Sequence, residues 1–171
     1  SYSDSIIILK EMLQNGVYDL VKNGYVAQGL YLSVVYGDSK QNETHGTTRL
    51  GVLTNLYSIV EEKALSLFKK IVNRNLPIRK IGYTFTNLLP EENEAYDLLT
   101  DLNKVNKEKK LTKSVIGIQN KFGKNSLLKG IDLEEKATQM ERNKMIGGHN
   151  GWKRKIVKRN ESKTVYAIRC S

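Results

Sequence analysis

This sequence reads as an α+β domain: a small antiparallel sheet with helices packed on one of its faces, followed by a C-terminal helix and a basic arm. Two features point there. Segments with apolar residues at three- and four-residue steps are interspersed with segments in which apolar and polar residues alternate singly, so helical and strand periods both occur. Their order is helix, two strands, helix, strand, helix, and two helices on one face of a small antiparallel sheet satisfy it most economically. The 171 residues suit one such domain with an appended tail.

Residues 4–22 form the first expected helix, with Ile6, Leu9, Leu13, Val17 and Leu20 on one stripe. Ser3 or Asp4 is placed to cap its start, and Asn23-Gly24 offers a left-handed stop. Gly16, inside it, is expected to weaken the helix by roughly 1 kcal/mol relative to Ala. Residues 30–36 (LYLSVVY) are rich in β-branched and aromatic side chains and read as a strand. After a polar turn over 37–46, residues 47–53 (TTRLGVL) return as the second arm of a hairpin. Alternation puts Thr48, Leu50 and Val52 on one face and Thr47, Arg49 and Gly51 on the other.

A second helix over 56–72 aligns Leu56, Val60, Ala64, Leu67 and Ile71, with Ser58 and Glu61 as a capping box or Asn55 as the cap. Pro77 opens a strand over 78–88, where Ile81, Tyr83 and Phe85 alternate with Lys80, Gly82, Thr84 and Thr86. That is the pattern of a sheet with one face buried and one wet. The open face is expected to show Thr47, Arg49, Lys80, Thr84 and Thr86, groups suited to phosphate contacts although common on any exposed sheet. Residues 89–106 read as an acidic loop, and 107–122 as a helix with Leu111, Val115, Ile118 and Phe122 together. Residues 126–128 read as a short strand, and Asp132 and Glu135 as the capping box of a last helix reaching Met145 and ended by Gly147-Gly148.

At 39% hydrophobic and 27% charged the composition is that of a globular domain. The longest apolar run, Ile6-Ile7-Ile8-Leu9, is far short of the ~20 residues that span a bilayer. With no initiator Met, the sequence is expected to be a piece of a longer protein. Cys170, the single cysteine, excludes an internal disulfide framework and a cysteine-based zinc cluster. The net charge of +10 is uneven. From Lys144 onward eight Lys and Arg face Glu161 alone, whereas the first 143 residues carry 20 basic and 17 acidic side chains. The C-terminus is thus a basic arm, either drawn to a polyanion or simply solvated. The expected units are 1–130, the α+β domain; 131–149, the C-terminal helix with its Gly-Gly-His ending; and 150–171, the arm.

Catalytic patterns are missing. The acidic residues are scattered rather than clustered as two-metal chemistry demands, and neither a P-loop, a Rossmann glycine fingerprint nor a zinc-deaminase pattern occurs. Ser, His and Asp are present without the strand–turn–helix context of a nucleophile.

Several stretches resemble one family. Pro77-Ile78-Arg79-Lys80-Ile81-Gly82, with Thr84 and Asn87-Leu88, resembles the last strand of the little-finger domain of Y-family translesion DNA polymerases. Residues 46–55 and the helix ending Leu67-Phe68 resemble the preceding strand and helix. Residues 121–128 (KFGKNSLL), Ala137-Thr138 and 141–149 (ERNKMIGGH) resemble the end of the bacterial ImpB/MucB/SamB (UmuC-like) branch, so the likeness extends over about residues 1–149.

The resemblance implies a DNA-binding domain that holds primer–template DNA by its phosphate backbone, with the catalytic site elsewhere in the parent polymerase. It implies phosphate contacts from Arg79, Lys80 and Thr84, with Thr86 nearby, and from Thr47, Thr48 and Arg49 on the paired strand. No cofactor is expected in this chain, while the parent polymerase would use Mg²⁺. The expected place is the cytoplasm, at the nucleoid. The family often carries a sliding-clamp pentapeptide, Gln-Leu-Ser/Asp-Leu-Phe, to which Ala95-Tyr96-Asp97-Leu98-Leu99 corresponds: Asp97 and Leu98 match, Leu99 substitutes, and Ala95 replaces Gln. Read without the family, the same loop is an acidic segment whose two leucines cover the core. Two other readings stand beside the first. One is a protein-interaction module docking the sliding clamp or another repair subunit. The other is a small RNA-binding domain using Trp152 and Tyr166 to stack on unpaired bases. The family domain usually begins with a strand that this chain lacks, and residues 164–170 (TVYAIRC) are expected to fill that place.

Overall fold

A computed structural model of the chain describes residues 1–37, 42–128, 140, 157–159 and 163–168. Helix α1 (Tyr2–Asn23) leads into the hairpin β1 (Tyr25–Tyr36) and β2 (Glu43–Thr54); α2 (Tyr57–Ile71), β3 (Ile78–Pro90) and α3 (Leu102–Phe122) follow. Strands β4 (Val157–Arg159) and β5 (Lys163–Ile168) come last. The antiparallel sheet runs β2-β1-β3-β5-β4. The α+β expectation holds, and the strand expected over 164–170 pairs with β3, setting Thr84 opposite Ala167 and Phe85 opposite Tyr166.

The core lies between one sheet face and helices α1 and α2. From β1 it takes Leu30, Leu32, Val34 and Tyr36; from β3, Ile81, Tyr83 and Phe85. Leu9, Leu13, Val17 and Leu20 come from α1, and Val60, Ala64, Leu67 and Phe68 from α2. These are the stripes and alternations that the sequence shows, because burial of a continuous apolar face drives both.

The elements depart from expectation in five places. The cap of α1 is Ser1, which forms a capping box with Asp4, rather than Ser3 or Asp4; Gly24, left-handed at φ 69°, stops the helix as expected. Gly16 is needed rather than tolerated. A Cβ there would run into the Tyr83 hydroxyl and lie 2.9 Å from the Phe85 ring, while Tyr83 Oη donates to the Met12 carbonyl at 2.9 Å. The start of α2 carries no side-chain cap of its own: neither Asn55 nor a Ser58–Glu61 box serves. Instead Glu108 of α3 accepts hydrogen bonds from Ser58 N (2.9 Å) and Ser58 Oγ (2.6 Å). A carboxylate reaching in from another helix thus fills the N-terminal site where negative charge is favoured.

Helix α3 differs most. It begins at Leu102, not 107, because Asp101 caps it by accepting from Asn103 N (3.0 Å) and Lys104 N (3.3 Å). Its inward side is Val105 and Ile116, while Leu111, Ile118 and Phe122 of the expected stripe are exposed. Charged groups fasten it: Lys109 pairs with Glu94 and Glu91 (3.4 Å to the latter). Residues 126–128 are irregular rather than a strand and follow a turn at 124–125, with Ser126 Oγ donating to the Gly123 carbonyl and Gln119 Nε2 to that of Leu127. The expected helix over 132–145, the Gly-Gly-His ending and most of the arm lie outside the described residues; of that helix only Met140 is described, and it is helical.

Candidate nucleic-acid interface

Strand pairing decides which side chains share the face turned away from the helices. Leu30 and Leu32 point to the core, so their neighbours Gly29, Tyr31, Ser33 and Val35 point outward. Opposite them on β2 stand Arg49, Thr47, His45 and Glu43, and on β3 Thr86, Thr84, Gly82 and Lys80. Four rows cross the open face: Arg49-Gly29-Thr86, Thr47-Tyr31-Thr84, His45-Ser33-Gly82 and Glu43-Val35-Lys80. Five of the seven phosphate-contact residues expected from the sequence are therefore brought together: Thr47, Arg49, Lys80, Thr84 and Thr86.

The other two fall elsewhere. Thr48 pairs with the fully buried Leu30 and so lies on the helix-covered side. The same strand confirms this parity: Thr44 hydrogen-bonds the hydroxyl of buried Tyr36 at 2.9 Å, and a Cβ on Gly46 would lie 3.0 Å from Leu67 and Ile71 of α2. A strand's period of two forbids three consecutive residues from sharing a face. Arg79 sits at a bulge. Val35 pairs with Lys80 and Tyr36 with Ile78, leaving Arg79 as the extra residue, exposed at the rim beside Lys80.

Among the described residues the face is low and mildly cationic, with Arg49 and Lys80 against Glu43. Gly82 and Gly29 keep it flat. A Cβ on Gly82 would lie 2.9 Å from Ser33 Oγ, and one on Gly29 would lie 2.5 Å from Thr86 Oγ1. Sequence reasoning had not singled out Tyr31, Ser33 or His45 for this face. The alternation in LYLSVVY carries the signal for the first two, whereas His45 fell in a stretch read as turn because β2 extends back to Glu43.

Beyond the sheet, the segment corresponding to the clamp pentapeptide is held by its first half and free in its second. Ala95 N donates to the Leu53 carbonyl at 3.2 Å, and Tyr96 Oη is hydrogen-bonded with Thr54 Oγ1 (3.1 Å) and Glu94. Burial, then the bond to the Glu94 carboxylate, pushes the Tyr96 phenol well above its ordinary range. Asp97 Oδ1 accepts from Leu99 N (3.1 Å) and Thr100 Oγ1 (2.6 Å), forming a turn that presents Leu98 and Leu99 at 104% and 94% exposure. The reading in which these leucines cover the core is thereby overturned: an Asp-centred turn points them outward.

Among the described residues no group of three or more His, Cys, Asp or Glu is arranged to hold a metal ion, and no helix is long and apolar enough to cross a membrane.

An antiparallel α+β sheet with one face covered by two helices and one open is the architecture on which the family comparison falls. Residues 3–98 match the impB/mucB/samB family C-terminal domain. The chain belongs to this family, the little-finger region of UmuC-like Y-family polymerases. The match takes in α1 through the exposed Leu98 and ends before α3, so the likeness seen over 121–149 lies outside it. No curated protein and no solved structure matches the chain.

Proposed function

We propose that the chain holds primer–template DNA against the open face of its sheet, by contacts to phosphates that carry no sequence information. The observation that supports this is the convergence of Arg49, Lys80, Thr47, Thr84 and Thr86 on one low face, with Arg79 at its rim. Guanidinium, ammonium and hydroxyl groups are donors to phosphate oxygens, and small neighbours let a backbone come close. The basic arm adds long-range attraction. Synthesis belongs, in this reading, to another part of the parent polymerase, where carboxylates hold Mg²⁺. This chain contributes binding alone and needs no cofactor for it.

Fluorescence anisotropy with labelled primer–template DNA, titrated with salt, tests the reading. Arg49→Glu with Lys80→Glu is expected to weaken binding alike for all sequences and to flatten the salt dependence by about one unit of log–log slope per lost contact. Affinity unchanged by both substitutions overturns the assignment. Binding is expected to be the same in EDTA as in Mg²⁺-free buffer.

A second reading rests on the exposed leucines. Leu98 and Leu99, presented by the Asp97-centred turn, form a small apolar knob suited to a sliding clamp, with Asp97 holding the turn rather than touching the partner. Leu98→Ala with Leu99→Ala is expected to abolish retention on immobilised clamp while leaving DNA affinity intact.

A further inference from the structure

The open face carries one feature that phosphate contacts do not explain. Tyr31 stands on the middle strand of β2-β1-β3, with Gly29 and Ser33 on either side along its own strand and Thr47 and Thr84 across from it. None of these is larger than threonine, so the phenol ring rises from a floor of short side chains. Among the described residues its one ring neighbour is His45, with centroids 6.0 Å apart and planes 30° from parallel. Among the described residues the ring belongs to no core cluster and its hydroxyl has no hydrogen-bond partner. A half-exposed tyrosine that neither fills a core nor satisfies a polar group offers a flat π surface to something else.

We infer that Tyr31, with His45 beside it, is a stacking platform for an unpaired base of single-stranded DNA. The inference rests on the sheet face being the DNA-binding surface and deepens that reading by naming single-stranded DNA as a ligand of the same face. The cations are placed to hold such a strand. Arg49 lies one row to one side of Tyr31, on β2; Lys80 lies two rows to the other side, on β3. With rows about 7 Å and strands about 5 Å apart, a line from Arg49 to Lys80 crosses the face diagonally over roughly 20 Å and passes close to Tyr31. A single strand laid on that line keeps its phosphates near the two cations and turns a base onto the ring. Duplex DNA cannot use the platform, since its bases are already stacked on one another. Because every base has a π face, the site tolerates any sequence.

The test compares a short oligothymidylate with an abasic strand of the same length, both fluorescently labelled, against the full chain. The two probes carry the same phosphates and differ only in having bases. The wild-type chain is expected to bind the thymidylate roughly 5- to 150-fold more tightly than the abasic strand. Tyr31→Ser is expected to erase that preference, and Tyr31→Phe to keep it. Equal binding of both strands by a wild-type chain that still binds duplex overturns the platform and leaves the phosphate-binding face standing. Binding of neither strand nor duplex overturns both. Photocrosslinking of the wild-type chain to a 5-iodouracil strand needs no variant: adducts on Tyr31 or His45 support the platform, and adducts confined to Trp152 and the rest of the arm overturn it.

Discussion

Gly16 and Tyr96 show how far a side chain's meaning depends on its neighbours. Helix propensity alone makes Gly16→Ala stabilising, but here the added methyl meets the Tyr83 hydroxyl and the Phe85 ring in a close helix-to-sheet contact. Overpacking of that kind outweighs propensity, so Gly16→Ala is expected to destabilise the fold by about 1–3 kcal/mol in urea unfolding. Tyr96 makes a prediction in pH. Its phenol is held protonated in the fold above the ordinary value of 10.0, so above that pH the unfolded chain loses a proton that the folded chain keeps. Stability from this residue is therefore complete below pH 10 and is lost as pH rises through the folded value. Alkaline titration of the urea midpoint is expected to fall less steeply for Tyr96→Phe than for wild type.

Helix α3 shows the same dependence one level up. Its most apolar stripe faces solvent, while the face toward α1 and α2 carries Val105 and Ile116 together with Glu108 and Lys109. Beside those two apolar side chains, charged groups fasten it: the carboxylate that caps α2 and the lysine set between Glu91 and Glu94. Glu108→Ala leaves the first turn of α2 without an acceptor and is expected to lower stability by about 1 kcal/mol. Ile116→Ala is expected to cost about 2–5 kcal/mol, near the lower end if the site collapses, whereas Leu111→Ser and Phe122→Ser change stability by no more than about 0.5 kcal/mol. Chemical denaturation of the four variants checks the ranking, and a large loss from Leu111→Ser would mean that the outer stripe is packed after all.

Across the whole chain, the C-terminal residues complete what the N-terminal ones begin. Strand β5 pairs with β3 on the side away from β1, joining segments some eighty residues apart and covering an edge that would otherwise present open backbone groups. Deleting residues 157–171 is expected to promote concentration-dependent self-association, read by light scattering, as β3 finds another strand to pair with. The other edge, β2, is met near its end by the bridge from Leu53 to Ala95. The segment that carries Leu98 and Leu99 thus leaves directly from the sheet.

The local periods in the sequence were enough to establish the core of α1, α2, β1 and β3, the alternation of the open face and the left-handed stop at Gly24, because each depends on residues a few positions apart. The family was legible too, from motif stretches of which those within residues 3–98 fall inside the family match and those over 121–149 fall outside it. Three things needed the chain to meet itself. Glu108 caps a helix fifty residues earlier, Gly16 owes its place to Tyr83, and the bulge at Arg79 takes that side chain out of row with Lys80. Thr48 was separable from Thr47 and Arg49 by alternation alone, and only the family pattern drew the three together. Tyr31 and His45 become a pair solely through strand register, since residues fourteen apart share a face only when a hairpin aligns them. Periodicity is a property of neighbours along the chain, and contact is a property of neighbours in space; the make-up of the open face belongs to the second.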